Sequence, residues 1–284
     1  MKAYIFHKYG IRLIVNDDWK NILAIFNFVE MKLSVITINF NNKVGLERTF
    51  NSVFSQTYRH FEYIVIDGGS SDGSKDLLEK YEDKLTYWIS EPDTGIYNAM
   101  NKGIKRAKGE YLLFLNSGDS LVVDVLQKAI NELDGTDIIY GNWYWTDQGK
   151  VIHQDIFPDK ITFIFLAYHY SLPHQASFIK KELFEKFELY DESLRMVSDW
   201  KFFLLAIFKW NCNYRHINLF ISYYDKTGFS SNPKNDPIQM SERKQVMDSH
   251  FKNFDHLYDN WKELENYRSS RAIRILKKTR LFKF

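Results

Sequence analysis

Short apolar runs alternate with polar, helix-forming stretches through the first 120 residues, and that rhythm predicts the fold. A buried strand is expected over 33–38 and a polar turn at Asn39–Asn42, then a helix near 44–56. A second strand over 61–66 meets the small-residue loop Asp67-Gly-Gly-Ser-Ser-Asp-Gly73 and a helix near 74–81. A third strand over 85–89 leads into Ser90-Glu-Pro-Asp-Thr-Gly-Ile-Tyr97, with a helix over about 94–107 and a fourth strand over 110–115. Alternating strand–helix units imply a mostly parallel sheet with right-handed crossovers and helices on both faces.

The rhythm changes after residue 120. Ile138–Tyr140 reads as a strand, followed by a hairpin through Asp147-Gln-Gly-Lys150. An aromatic region follows over 156–178, then a helix over 199–209. Tyr223–Asn232 reads as a Gly/Ser-rich loop, and 237–270 as charged and helical. Met31 opens the first strong strand and reads as a natural start, which makes 1–30 either an upstream mis-start or a loosely attached N-terminal extension. The division expected is 31–232 as one domain, with 31–120 its nucleotide half and 121–232 its acceptor half, and 233–284 as a helical C-terminal region.

Composition narrows the classes. A formal net charge of +2 gives no case for nucleic-acid binding, so none is expected. The single cysteine, Cys212, excludes an internal disulfide and a multi-cysteine zinc site, and fits a reducing compartment. No apolar run approaches the roughly 18 to 20 residues that span a bilayer. The tail Arg268–Phe284 carries many cations and no acid, interleaved with Ile273, Leu276, Leu281 and Phe284. Such a segment suits an anionic membrane surface, or equally a solvated end.

Several side chains fall where such a sheet concentrates chemistry, at the carboxyl ends of its strands. Thr37 and Asn39 end the first strand, and Asp67 and Asp72 belong to the loop after the second. An ordinary turn with a helix cap would explain these equally well. Asp119 ends the apolar run Tyr111–Leu115 plus Asn116-Ser-Gly. A carboxylate there can hold a divalent metal against a diphosphate, or cap a following helix. Asp199 opens an apolar helix whose dipole favours its ionised form, so it can serve as a general base or as a plain cap. Beside it, Trp200 can be core or a sugar platform. His174 and Gln175 follow Pro173 in the aromatic region.

In order, Val35-Ile-Thr-Ile-Asn39, Val65-Ile-Asp-Gly-Gly-Ser-Ser-Asp-Gly73, Ser90–Tyr97, Asn101-Lys-Gly103, Gly109–Asp119, Pro173-His-Gln175 and Ser198-Asp-Trp200 resemble glycosyltransferase family 2 over residues 31–232. This family is inverting and has the GT-A, Rossmann-like α/β fold. The resemblance implies that Thr37, Asn39, Asp67 and Asp72 line the base and ribose pocket with Glu91 and Asp93 nearby, and that Asn116 touches the donor. It makes Asp119 the last acid of a DxD-type motif for Mn2+ or Mg2+, and Asp199 the catalytic base. His174, Gln175, Trp200 and Lys226 fall to the acceptor or the diphosphate, Lys226 through a mobile loop over 226–231. Asn116 stands where many members carry an acid, and Asn98 where Asp is more usual. The activity implied is transfer from a nucleotide-sugar, UDP favoured, to a glycan or lipid-linked acceptor for cell-surface polysaccharide or lipopolysaccharide. The implied location is cytoplasmic, peripheral on the inner face of the membrane. A nucleotidyltransferase and a catalytically silent nucleotide-binding protein of the same fold are the alternatives.

Overall fold

The computed structural model describes residues 2–6, 11–15, 31–228, 231–254, 260, 262 and 263. Lys2–Phe6 (β1) and Ile11–Val15 (β2) pair antiparallel as a separate two-stranded sheet, which nothing in the sequence pattern singles out. The basic tail and Phe229–Ser230 of the 226–231 loop lie outside the described residues.

Strand β3 (Leu33–Asn39) is buried along its whole length, and its alternating side chains feed two cores. Leu33 and Val35 pack with Leu46 and Phe50 of α1 (Lys43–Phe54) and Leu77 and Leu78 of α2 (Ser74–Lys80). Ile36 and Ile38 pack on the opposite side with Met100 and Ile104 of α3 (Ile96–Arg106). The period of two along a strand thus dictates a layer of helices on each face. Helix α3 comes unusually near the sheet, because a Cβ added at Gly103 would lie 2.5 Å from Ile36 Cγ2.

Strands β4 (Glu62–Asp67), β5 (Tyr87–Ser90) and β6 (Tyr111–Phe114) complete a parallel half in the order β5-β4-β3-β6. The chain steps outward from β3 to β5 and returns to the other side of β3 as β6. That reversal is the switch point at which α/β sheets open a crevice. Asn39 pairs with Asp67 in register, and the Ser117 amide still reaches the Ile38 carbonyl (3.0 Å).

The second half is mixed, with β10 (Ser177–Lys180) antiparallel between β6 and β8 (Ile138–Asp147). Strand β11 (Tyr214–Asp225) runs parallel to β8, β7 (Ser120–Leu121) edges β11, and β9 (Lys150–Asp155) closes the expected hairpin on β8. The stretch read as a loop from Tyr223 is therefore strand as far as Asp225, because its tyrosines alternate against β8. Short helices α4 (Val125–Ala129) and α5 (Lys181–Lys186) follow β7 and β10. Helix α6 (Ser198–Phe208) is almost wholly buried, and α7 (Asp236–His250) opens the charged C-terminal region and ends at its cap residue Phe251.

Candidate active site

The edge where β3, β4 and β6 end opens into a cleft of about 1370 Å³ that draws residues from both halves of the sheet and from α7. Beyond β6 the chain turns through Gly118, whose φ of +107° is cheap only for glycine. Asn116 and Asp119 both line the cleft as a result. Asp119 is 4% exposed, and its Oδ1 accepts the Asp225 amide (3.0 Å). Burial pushes its carboxyl up to about 7, against the Asp225 amide, the His174 charge and the Gln175 side chain. It caps no helix, since β7 follows at once and the next helix begins at Val125.

Asp199 is the second residue of α6, and it does not cap that helix either. Its Oδ1 accepts the Tyr97 hydroxyl (2.8 Å), and its Oδ2 lies 2.8 Å from His174 Nδ1. His174 Nε2 in turn lies 3.2 Å from Asn116 Nδ2. The His174 ring thus bridges Asp199 and Asn116 through its two nitrogens. Burial alone would raise the Asp199 carboxyl. The hydrogen bond and charge of His174, with the Tyr97 hydroxyl, outweigh it and hold the group below the usual carboxylate range. An ionised, oriented carboxylate therefore lines the cleft.

The other expected residues divide. Asn39 and Asp93 line the cleft, and Gly68 does so between them. Any Cβ at Gly68 would come within 2.5 Å of the Asp93 carboxylate, so glycine there admits that acid. Thr37, Asp67, Asp72 and Glu91 are not among the residues that line the cleft. The Thr37 hydroxyl is fully buried and donates to the Leu115 carbonyl (2.8 Å). Asp67 lies beneath Asn39, accepting its Nδ2 (2.7 Å) along with the hydroxyls of Ser70 and Ser90. Asp72 ties two helix starts together, taking the amides of Lys43 (2.7 Å) and Ser74 (3.0 Å). Glu91 pairs with Lys102 (2.8 Å). Gln175 lines the cleft beside His174. Trp200 is only 1% exposed, with its indole N–H on the Leu166 carbonyl (2.7 Å), which leaves no face for a sugar. Lys226 turns away to Asp147 (2.8 Å).

The platform that Trp200 does not provide stands elsewhere on the cleft. Trp143 and Trp145 of β8 both donate their indole N–H to Asp155 Oδ2 (2.8 and 2.6 Å). Trp143 stacks on Tyr224 of β11 with ring centroids 4.7 Å apart. No sequence motif marks this wall, because it exists only once β8, β9 and β11 pair. Tyr97 was within reach of sequence reasoning, since it lies inside the quoted Ser90–Tyr97 segment.

Among the described residues, no three Asp, Glu, His or Cys side chains converge as a cage for a metal ion. The donors at the cleft floor are the Asp119 carboxylate and Asn116 Oδ1, which is buried without a hydrogen-bond partner. The neighbouring Asp225 carboxylate is already engaged by Arg48 and Thr227. Two oxygen donors fit a hard cation that completes its shell with phosphate and water, and do not fit a site that holds the metal alone.

The profile of glycosyl transferase family 2 matches residues 34–183, more than half of the chain. The chain belongs to that family. An uncharacterized glycosyltransferase of Mycobacterium tuberculosis is 39% identical over 204 residues, 70% of this chain and 77% of the relative. A PGL/p-HBAD biosynthesis glycosyltransferase of Mycobacterium bovis is 28% identical over 213 residues, 70% and 78% of the two chains. Among solved structures, S. aureus TarS in complex with UDP-GlcNAc superposes with a TM-score of 0.59 at 23% identity, covering 69% of this chain and 59% of that one. A mannosyltransferase of Pyrobaculum calidifontis in complex with GDP-Man and Mn2+ gives 0.51 at 12% identity, covering 89% and 81%. This family 2 member is a glycosyltransferase of GT-A fold, which sets aside the nucleotidyltransferase and silent-binder alternatives.

Proposed function

We propose that the protein is an inverting glycosyltransferase. It moves a sugar from a nucleoside diphosphate donor, UDP favoured, to a hydroxyl of a glycan or lipid-linked acceptor of a cell-surface polysaccharide or glycolipid. The observation that carries this reading is a single cleft holding two differently tuned carboxylates. Asp199 is ionised and oriented by His174 and Tyr97, while buried Asp119 sits beside the unpartnered Oδ1 of Asn116. Carboxylates whose environments push them apart are a usual sign of divided acid–base and binding roles.

In this reading Asn39, Gly68 and Asp93 receive the nucleoside, with Asp67 fixing Asn39 from below. Asp199 takes the proton of the acceptor hydroxyl as its oxygen bonds to the anomeric carbon. The bond from that carbon to the diphosphate oxygen breaks on the opposite side, so configuration inverts. Mn2+ or Mg2+, when bound at Asp119 and Asn116, would neutralise charge on the departing diphosphate. The UDP-GlcNAc and GDP-Man held by the neighbouring structures and the PGL/p-HBAD biosynthesis served by the mycobacterial relative support this choice of substrates. Residues 31–120 would serve the donor and 121–232 the acceptor. No helix among the described residues is long and apolar enough to cross a membrane. Attachment to the membrane's inner face would fall to Arg268–Phe284, outside the described residues.

The test is calorimetric titration of UDP, GDP and dTDP with Mn2+ and then with chelator, on wild type and Asp119→Ala. Metal-dependent binding of one nucleotide, lost in the variant, is expected. Wild-type protein that is folded and binds none of the three would overturn the donor assignment.

A further inference from the structure

Helix α7 lies beyond the segment matched by the family profile, yet it reaches the cleft. Glu242 on this helix is buried, and its two carboxylate oxygens accept the amides of Arg195 (2.7 Å) and Met196 (2.9 Å). Those amides belong to the turn immediately before Asp199, so α7 is clamped to the loop that delivers the candidate base. The next residue, Arg243, lines the cleft. Its guanidinium lies 4.8 Å from the centroid of the Trp200 ring. No carboxylate forms an ion pair with it among the described residues, and its Nε is buried without a hydrogen-bond partner. Burial lowers the pKa of this guanidinium while the charge of Asp199 raises it, with a net downward shift. A partly buried guanidinium that lines a cleft and has no ion pair of its own keeps hydrogen-bond donors free for an incoming anion. Arg195, held through its amide, lines the same cleft.

We propose that Arg243 is a phosphate-binding residue of this active site, presented by α7 over the Trp200 ring. The guanidinium fork suits two oxygens of a phosphate, and stacking on an aromatic ring limits the entropy lost on binding. The phosphate has two possible sources, the donor's diphosphate or a phosphate carried by the acceptor. The inference rests on the glycosyl-transfer reading given above.

The experiment compares wild type with Arg243→Gln and Arg243→Lys, each first checked for folding by circular dichroism. Each is titrated with Mn2+ and whichever of UDP, GDP and dTDP wild type binds, with the matching nucleoside, with inorganic pyrophosphate, and with glycerol phosphate on the nucleotide-saturated enzyme. A donor-side clamp is expected to lose about tenfold to a hundredfold in affinity for nucleotide and pyrophosphate in Arg243→Gln, with partial rescue in Arg243→Lys and nucleoside binding unchanged. An acceptor-side clamp instead loses only the glycerol phosphate. Equal affinities of wild type and Arg243→Gln for every phosphate probe would overturn the proposal and leave the donor assignment standing. Wild type that binds no nucleotide would overturn both.

Discussion

Two aspartates in one cleft carry opposite shifts, and each has a measurable consequence. Asp199 is held below the usual range, so it stays ionised across neutral pH and needs no activation beyond the acceptor's arrival. Asp199→Asn keeps the shape and the Tyr97 contact but removes the base. Turnover should fall about 10²- to 10⁴-fold, the usual reach of general-base help, with nucleotide affinity unchanged. Single-turnover transfer and calorimetry on the same preparation would show the split, and a variant that turned over normally would end the base assignment. Asp119 works in the other direction. Its folded pKa of about 7 lies above the unfolded value of 3.8, so the native state binds the extra proton. The stability this gives is present below pH 4 and is lost as pH rises towards 7. At pH 8 ligand-free wild type therefore carries a desolvated charge costing on the order of 2–4 kcal/mol. Asp119→Asn should melt higher than wild type at pH 8, with the gap shrinking towards pH 5, while metal-dependent nucleotide binding is lost. A variant that melts lower at pH 8 would show that hydrogen bonding, not desolvation, governs the site.

At the scale of elements, the strand–helix rhythm of residues 33–115 was legible because each unit is closed by local signals. An apolar run stops at a polar turn, as at Ile38–Asn42 and Ile66–Gly73, and the β3–β6 boundaries fall within two residues of expectation. The second half was legible only in part: the β8–β9 hairpin and the helix at 199–209 were expected, but the remaining pairing is set by partners far away in the chain. Ser177–Lys180 merges with an aromatic region in sequence and becomes strand β10 only between β6 and β8. Tyr223–Asp225 resembles a loop until β8 pairs with it. Asp119 and Asp199 could be named from their positions at a strand end and a helix start, and His174 from the segment Pro173-His-Gln175. That Thr37, Asp67 and Asp72 stand behind the cleft lining could not be foreseen, because a polar side chain that props a neighbour reads the same in sequence as one that faces a ligand. Helix α7 shows the same limit, since nothing in its polar pattern tells that Glu242 bonds two amides of the loop before Asp199. Glu242→Ala leaves those amides unsatisfied and should cost about 2–4 kcal/mol. Thermal melting would register the loss, and an unchanged midpoint would mean that α7 is held by packing alone.

For the molecule as a whole, the cleft joins a floor that suits phosphate chemistry to an aromatic wall that suits a sugar. The floor comes from β3, β4 and β6, the wall from β8, β9 and β11, and Asp199 faces the space between them. The wall is rigid for a physical reason. One carboxylate, Asp155, anchors both indole N–H groups, and Tyr224 packs flat on Trp143 and edge-on to Trp145 (5.0 Å). Rings fixed in this way lose little entropy when a sugar's C–H face settles on them. In Asp155→Leu the two indoles lose their common acceptor and the spacing between them. The KM for a glycan acceptor should then rise about tenfold, the effect of one or two unmade hydrogen bonds, while nucleotide affinity and the rate at saturating acceptor hold. Steady-state transfer with donor saturated measures the first quantity, and nucleotide titration the second. A shift confined to nucleotide affinity would move the wall to the donor's side of the cleft, and the division of labour between the two halves of the sheet would have to be redrawn.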